Sequence, residues 1–238
     1  WMLAFGQSDF IIRLPSALAG IAAIPAIYKT GKDHFSITAG LIAATLMATS
    51  YQAIYYSQEA RAYSMLLLMV CLHCGFLLRV IMDGSTRNRD RAGFILTAAA
   101  LLYLHYAGAV LIFSEGLIFL LHFLCKPSRD RFVNGTLVLS LGVALYAPWL
   151  PVMYKHATSI TAYWSPKPGW LEFRAVWEFL AGRDQTVLAG MAALVALCCG
   201  FLIVRAALAK TDGADRKAFA LLLLLVFPVA IFFAKSIF

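Results

Sequence analysis

Eight apolar runs of membrane-spanning length dominate this sequence. A bilayer core about 30 Å thick requires roughly 20 predominantly apolar residues in one helix. The runs cover residues 10–28, 36–57, 62–82, 92–106, 107–124, 133–154, 186–208 and 219–238. We therefore expect an all-α fold, a polytopic transmembrane domain with about eight spans.

The composition excludes a soluble globular domain. Hydrophobic residues make up 62% of the 238 residues and charged residues only 13%, and the mean hydropathy is +0.79. The five cysteines are an odd number and most lie inside apolar runs, which excludes a small secreted fold held by disulfides. No internal repeat or Gly/Ser linker interrupts the spans, so residues 1–238 are treated as one domain.

The basic residues orient the predicted spans. Cytoplasmic loops of membrane proteins collect Lys and Arg, which accounts for the formal net charge of +8 without a nucleic-acid partner. Thirteen of the 20 basic residues fall on one side, predicted to be cytoplasmic: Lys29, Lys32, Arg79, Arg87, Arg89, Arg91, Lys126, Arg129, Arg131, Arg205, Lys210, Arg216 and Lys217. The opposite side receives Arg13, residues 57–63, a tight turn at His105 and a loop over residues 155–185.

The long loop is rich in Trp and has two interpretations. Its stretch over residues 170–180 can form a short helix that lies in the membrane interface, where Trp is favoured. The same loop can also form a lid over a membrane-embedded site.

The densest group of polar and aromatic residues lies on the non-cytoplasmic side, between two long spans. Its members are Tyr55, Tyr56, Ser57, Gln58, Glu59, Ala60, Arg61, Ala62, Tyr63 and Ser64. Polar groups near a bilayer are expensive and tend to be functional. The plainer interpretation is an aromatic belt with a surface ion pair between Glu59 and Arg61, which contributes little energy.

The functional interpretation of this group is a substrate-binding turn. Arg61 can hold a phosphate, such as a lipid phosphate, through two parallel hydrogen bonds. Tyr56 and Tyr63 can donate hydroxyls or stack on a sugar ring, and Gln58 is a further substrate-binding candidate. Glu59 can accept a hydrogen bond from a sugar hydroxyl, bind a divalent cation or act as a general base.

Four more polar residues are candidates, three of them near predicted helix ends and one inside a span. Arg13 is either an interfacial residue or a second positive charge for the same anionic headgroup. His105 and Tyr106, at the turn between the fourth and fifth spans, are further substrate-binding candidates. Glu115 lies within an apolar run, where it should be neutral, paired or facing a polar cavity, in a structural or a catalytic role.

Two motifs resemble a known family. The segments FGQSDFIIRLPSALAG at residues 5–20 and YYSQEARAYS at residues 55–64 are similar to bacterial membrane glycosyltransferases related to the protein O-mannosyltransferases. The aminoarabinose transferases of lipid A are further relatives. The resemblance covers most of the chain, because residues 105–108 and 148–151 also sit where such proteins have similar segments.

The resemblance implies a C-type glycosyltransferase (GT-C) fold in the bacterial inner membrane, with the active site on the periplasmic face. It implies a donor sugar linked through phosphate to a polyprenyl lipid, a lipid, glycan or protein acceptor, and inversion of the anomeric centre. Glu59 inherits the role of a second acidic site, and Arg61 would hold the lipid phosphate.

The resemblance also implies that the chain is a fragment. The family's first helix and first catalytic loop have no counterpart here, and Asp9 does not match the catalytic motif. The main catalytic base is therefore expected upstream of Trp1, and a C-terminal region is expected to be missing. We expect this fragment by itself to be inactive.

Two rival functions remain at this point. A transporter or lipid flippase would also need many spans and a few buried charges. Transporters often have two related halves or helices broken by Gly or Pro at mid-membrane, and the sequence shows neither pattern. A non-catalytic membrane scaffold subunit fits the incomplete catalytic set but leaves the polar group around Glu59 without a purpose. No resident cofactor or metal is assigned, and a divalent cation at Glu59 stays an open alternative.

Overall fold

The fold is helical, as predicted. A computed structural model describes residues 2–125, 127–159 and 213–237, together with single positions between residues 171 and 200, and these residues contain no strand. The helices are α1 (Met2–Phe5), α2 (Asp9–His34), α3 (Ile37–Thr49), α4 (Tyr51–Ser57), α5 (Tyr63–Leu77), α6 (Asn88–Leu104), α7 (Ala107–Cys125), α8 (Arg129–Ala144), α9 (Leu150–Ser159) and α10 (Gly213–Ile237). A π-helical segment, Leu78–Met82, follows α5, and a 3-10 turn, Ala147–Trp149, precedes α9.

Several helices have the length and apolar character of membrane spans. Four qualify within the described part of the chain: Asp9–His34, Tyr63–Met82, Ala107–Leu124 and Arg129–Lys155. The pair α3 and α4 gives a fifth if it counts as one span. The polytopic transmembrane character is thereby confirmed.

The remaining predicted spans differ from expectation or lie elsewhere. The run over residues 92–106 overlaps α6, Asn88–Leu104, which at 17 residues is at the lower limit for a span and is not among the four qualifying helices. The run over residues 186–208 and the Trp-rich loop beyond Ser159 fall outside the described residues, apart from isolated positions. The run over residues 219–238 begins inside α10.

The predicted single span over residues 36–57 is wrong in one respect, because Ser50 breaks it. Ser50 has an extended backbone, with φ −67° and ψ 122°, and α3 and α4 meet there at a bend of 56°. The Ser50 hydroxyl accepts a hydrogen bond from the Ala53 amide at 3.5 Å and so caps α4. This local cap compensates for the interrupted helical ladder and reorients the last helical turns before residue 58.

The chain divides into two compact units, Trp1–Leu78 with Ala175–Phe219 and Arg79–Arg174 with Ala220–Phe238. In the first unit, α2 packs against α3, α4 and α5. The Thr30 hydroxyl donates to the Cys71 carbonyl oxygen at 3.2 Å, and one turn further His34 Nε2 lies 3.1 Å from the Gly75 carbonyl oxygen. Because both sequence positions advance by four residues, α2 and α5 run parallel.

In the second unit, α6 packs against α7 and α8. The predicted tight turn at His105 is confirmed, since α6 ends at Leu104 and α7 begins at Ala107. His105 Nδ1 accepts a hydrogen bond from the Ala107 amide at 3.1 Å. Gly108 lies against the Leu101 carbonyl, where a Cβ would clash, so the turn requires a glycine at this position.

The junction of α2 and α3 generates a testable prediction. A Cβ built at Gly40 lies 2.6 Å from the Tyr28 carbonyl oxygen and 2.9 Å from the Lys32 amide nitrogen. Replacing Gly40 with Ala is therefore expected to lower the stability of the full-length protein by about 1–3 kcal/mol through overpacking. Thermal unfolding in detergent, followed by tryptophan fluorescence, measures the change.

The matched control is Gly116→Ala in α7. A Cβ at Gly116 meets nothing within 4 Å, so the helix gains about 0.5–1 kcal/mol. Equal unfolding temperatures for the two variants would contradict the close approach of α2 and α3.

Candidate functional site

The turn between α4 and α5 is anchored to α2 at two points. The Ser16 hydroxyl, on a side chain that is almost completely buried, donates to the Arg61 carbonyl oxygen at 3.0 Å. One helical turn further along α2, Gly20 approaches Ser57 so closely that a Cβ at Gly20 would lie 2.8 Å from the Ser57 Cβ. These contacts fix the turn against α2, near the beginning of that helix.

A cleft of about 440 Å³ opens at this turn. It is lined by Arg13, Tyr55, Gln58, Glu59, Ala60 and Arg61, and we name it the Arg61 cleft. Arg13 comes from α2, whereas the other lining residues come from the end of α4 and the following turn. The structure thus brings together four of the site residues predicted from the sequence, Arg13, Gln58, Glu59 and Arg61.

The charged groups of the Arg61 cleft are close but only loosely paired. Arg61 Nε lies 3.7 Å from Glu59 Oε2, beyond hydrogen-bond distance. The Arg61 side chain is 66% exposed and that of Glu59 is 29% exposed. Glu59 Oε2 itself is buried and accepts no hydrogen bond from the described residues. The guanidinium is therefore available to an anionic ligand, and the carboxylate oxygen has a vacant acceptor position.

Tyrosine rings form a continuous row beside the cleft. The ring centroids are 6.0 Å apart for Tyr51 and Tyr55, 5.5 Å for Tyr55 and Tyr56, and 4.6 Å for Tyr56 and Tyr63. The Arg61 guanidinium carbon lies 5.9 Å from the Tyr63 ring centroid, within the range of a cation–π contact. Tyr63 therefore contacts Arg61 and Tyr56 packs against Tyr63, whereas Tyr55 lines the cleft.

The other predicted polar residues belong to the second unit. His105 caps the α6–α7 turn, and its ring centroid lies 6.4 Å from that of the exposed Tyr106. Glu115 is completely buried within α7 next to Ser114, which is also completely buried. No group of three or more His, Cys, Asp and Glu side chains that could hold a metal ion occurs among the residues the structure describes.

Two residues of the site were not singled out by the sequence analysis. Tyr55 was counted in the polar group but not proposed as a binding residue, although its position three residues before Gln58 places the two on one helical face. Ser16 carried a weaker signal. It lies three residues after Arg13 in the same helix, and a small hydroxyl residue at such a spacing is typical of a close helix contact.

The helical spans and the Arg61 cleft define an integral membrane protein with a charged cleft at a helix–turn–helix junction. Residues 1–154 match the family described as dolichyl-phosphate-mannose-protein mannosyltransferase. This segment is well over half of the chain and includes all residues of the cleft. The chain belongs to this family of membrane glycosyltransferases, as the resemblance of its two motifs predicted.

One curated relative comes from Bacillus subtilis (strain 168) and is described as "Putative mannosyltransferase YycA". It is 32% identical to this chain over 104 residues, which are 44% of the chain and 14% of the relative. The matched part therefore spans about one seventh of that protein. No solved structure matches the chain.

The anchoring of the turn gives a prediction about Ser16. Replacing Ser16 with Ala removes the hydrogen bond to the Arg61 carbonyl and leaves that acceptor without its partner, at a cost of about 1 kcal/mol. Faster amide hydrogen exchange is expected in peptides covering residues 58–64 of the full-length protein, measured by mass spectrometry.

Ser57→Ala is the matched control for this experiment. The Ser57 hydroxyl donates at 2.7 Å only to the Ile54 carbonyl within its own helix, and Ala retains the Cβ that faces Gly20. Exchange in the turn should stay near the wild-type rate. If Ser16→Ala exchanged no faster than Ser57→Ala, the proposed anchor would be disproved.

Proposed function

We propose that this chain carries the donor-phosphate site of an integral membrane glycosyltransferase. The enzyme would transfer a sugar from a polyprenyl-phosphate-linked donor to an acceptor hydroxyl, with inversion of the anomeric centre. Membership of the mannosyltransferase family supports the reaction class. The single observation that carries the site assignment is the meeting of two guanidinium side chains and one carboxylate, those of Arg13, Arg61 and Glu59, around one cleft.

In this proposal Arg61 stabilises the leaving group. The acceptor oxygen attacks the anomeric carbon from the face opposite the phosphate, and the bond between that carbon and the phosphate oxygen breaks. The bonding electrons leave with the polyprenyl phosphate, which gains negative charge. Arg61 lines the cleft, and its guanidinium stabilises this charge through parallel hydrogen bonds. Arg13 contributes a second positive charge from α2.

Glu59 is proposed to bind a substrate hydroxyl. Its Oε2 atom is buried and has no hydrogen-bond donor among the described residues, so a hydroxyl of the sugar or acceptor supplies the missing donor. The acceptor's proton passes to a carboxylate as the new bond forms, either Glu59 or a residue elsewhere in the protein. Gln58 and Tyr55 would contact the sugar, because both line the same cleft.

The proposed cellular setting is the bacterial inner membrane, with the Arg61 cleft on the periplasmic face. The concentration of Lys and Arg in the opposite set of loops supports this orientation. The partners are then the polyprenyl-linked donor, membrane lipids and a lipid, glycan or protein acceptor.

Substitution of Arg61 tests the phosphate role. Arg61→Ala in the full-length protein is expected to lower kcat about 10²–10³-fold, because a preorganised donor to the developing charge is lost. Arg61→Lys keeps the charge but loses the planar fork, so an intermediate loss is expected. Consumption of a polyprenyl-phosphate-linked sugar by proteoliposomes measures the rate, and full activity of Arg61→Ala would disprove the proposal.

Glu59→Gln separates a catalytic from a scaffold role. The substitution preserves side-chain shape but removes the negative charge, and we expect turnover to fall about 10²-fold while the donor is still bound. Asp9→Asn is the control, since Asp9 is an exposed acid in the first turn of α2 that does not line the cleft. Equal turnover of the two variants would exclude Glu59 from the reaction.

A further inference from the structure

A second group of basic residues lies in the second unit, away from the residues of the Arg61 cleft in sequence. We name it the arginine patch, and its members are Arg79, Arg87, Arg89, Arg91, Arg129 and Arg131. The segments that supply it, residues 79–91 and 129–131, contain six Arg, three Asp and no Lys. Lys126 lies three residues before Arg129, and the predicted cytoplasmic side holds other Lys residues, so the strong predominance of Arg over Lys in these segments calls for an explanation.

A partly buried polar network fixes the backbone in this region. The Ser85 hydroxyl donates to Asp90 Oδ2 at 2.7 Å, and Arg79 Nη1 lies 3.7 Å from Asp90 Oδ1. Asn134, which is only 3% exposed, connects α8 to this loop. Its Nδ2 donates to the Ser85 carbonyl oxygen at 3.1 Å, and its Oδ1 accepts from Arg91 Nε at 2.6 Å.

The same loop brings two exposed arginines to one turn. Gly84 adopts φ +71°, a left-handed conformation that favours glycine, and Arg131 Nε lies 3.1 Å from the position that a Cβ on Gly84 would occupy. The Arg87 amide donates to the Ser85 hydroxyl at 3.4 Å. Arg87 and Arg131 therefore flank the Gly84–Ser85 turn, and both side chains are exposed.

The charges of the patch are only partly compensated. Asp90 is engaged by Arg79 and Ser85, and Arg91 is bonded to a neutral amide, so the positive charge of Arg91 has no carboxylate in this network. Asp83 and Asp130 are the other acids of the two segments, and both are exposed. Arginines outnumber the acids, and the network holds the loop that carries them in one conformation.

We infer that the arginine patch is a binding site for the phosphate group of an anionic phospholipid. Orientation by positive charge in cytoplasmic loops makes no distinction between Lys and Arg. Bidentate recognition of phosphate does, because the planar guanidinium presents two parallel donors and the ammonium does not. Basic pockets between transmembrane helices on this side of a membrane are well suited to lipid headgroups. The inference does not depend on the proposed transferase function.

The test uses the full-length protein in nanodiscs of phosphatidylcholine, with and without phosphatidylglycerol or cardiolipin. For the wild type, the anionic lipid is expected to raise Tm by about 2–4 °C. The double variant Arg87→Lys with Arg131→Lys keeps every charge and should lose most of this increase. Arg216→Lys, an exposed arginine of α10 on the same predicted side, is the matched control and should keep it.

The outcomes separate a site from a general charge effect. An equal Tm increase in the wild type and in the double lysine variant would overturn the inference, because charge alone would then explain the response. A lower Tm of the double variant already in pure phosphatidylcholine would show misfolding. The single variants Arg87→Lys and Arg131→Lys are then tested, and their Tm increase on addition of anionic lipid is compared with that of the wild type. A separate experiment adds soluble glycerol phosphate in place of anionic lipid. A Tm increase in the wild type that the double lysine variant lacks would assign the site to free phosphoesters. No Tm increase with glycerol phosphate would assign the site to the lipid.

Discussion

Helix α2 packs along α5 in parallel, and the geometry of the Arg61 cleft follows from this packing. Thr30 and Ser16, at different heights of α2, donate hydroxyl hydrogen bonds to the carbonyl oxygens of Cys71 and Arg61. A hydrogen bond between a short side chain and a backbone carbonyl tolerates little sliding, so the two contacts set the register of the helices. In an apolar bilayer, where hydrophobic association between helices is weak, such contacts and close packing contribute much of the specificity.

The chemistry of the cleft depends on groups that the fold leaves incompletely paired. The contact between Arg61 and Glu59 is long, at 3.7 Å, and the Arg61 side chain is 66% exposed, so the pair contributes little to stability. Without a ligand, holding these two side chains in place therefore adds little to the stability of the protein. Binding of a phosphate and a hydroxyl would complete their hydrogen bonds, which is the usual relation between a preorganised site and its ligand.

The arginine patch differs from the Arg61 cleft, because its inner polar groups are hydrogen-bonded to one another. Its core, formed by Ser85, Asp90, Arg91 and Asn134, is connected by hydrogen bonds of 2.6–3.1 Å, and its outer arginines Arg87, Arg89, Arg129 and Arg131 are exposed. A connected polar network rigidifies the backbone, because each buried group would pay a desolvation penalty if it lost its partner. Asn134 is 3% exposed, and both its side-chain oxygen and its side-chain nitrogen are engaged in this network.

The amino-acid pattern alone predicts the helical membrane fold, the limits of several spans, the His105 turn and the grouping of Gln58, Glu59 and Arg61 at one turn. These features depend on local hydrophobicity and on residues that are neighbours in the chain. Both can be taken from the sequence, because apolar length determines the spans and basic residues determine their orientation. The break at Ser50 rests on a local cap that an apolar run does not reveal. The packing of the helices sets the anchoring of Arg61 by Ser16 and brings Arg13 and Tyr55 into one cleft. These features depend on contacts between helices distant in sequence, whose rotation and register a hydrophobic pattern cannot specify when the helix is apolar on every side.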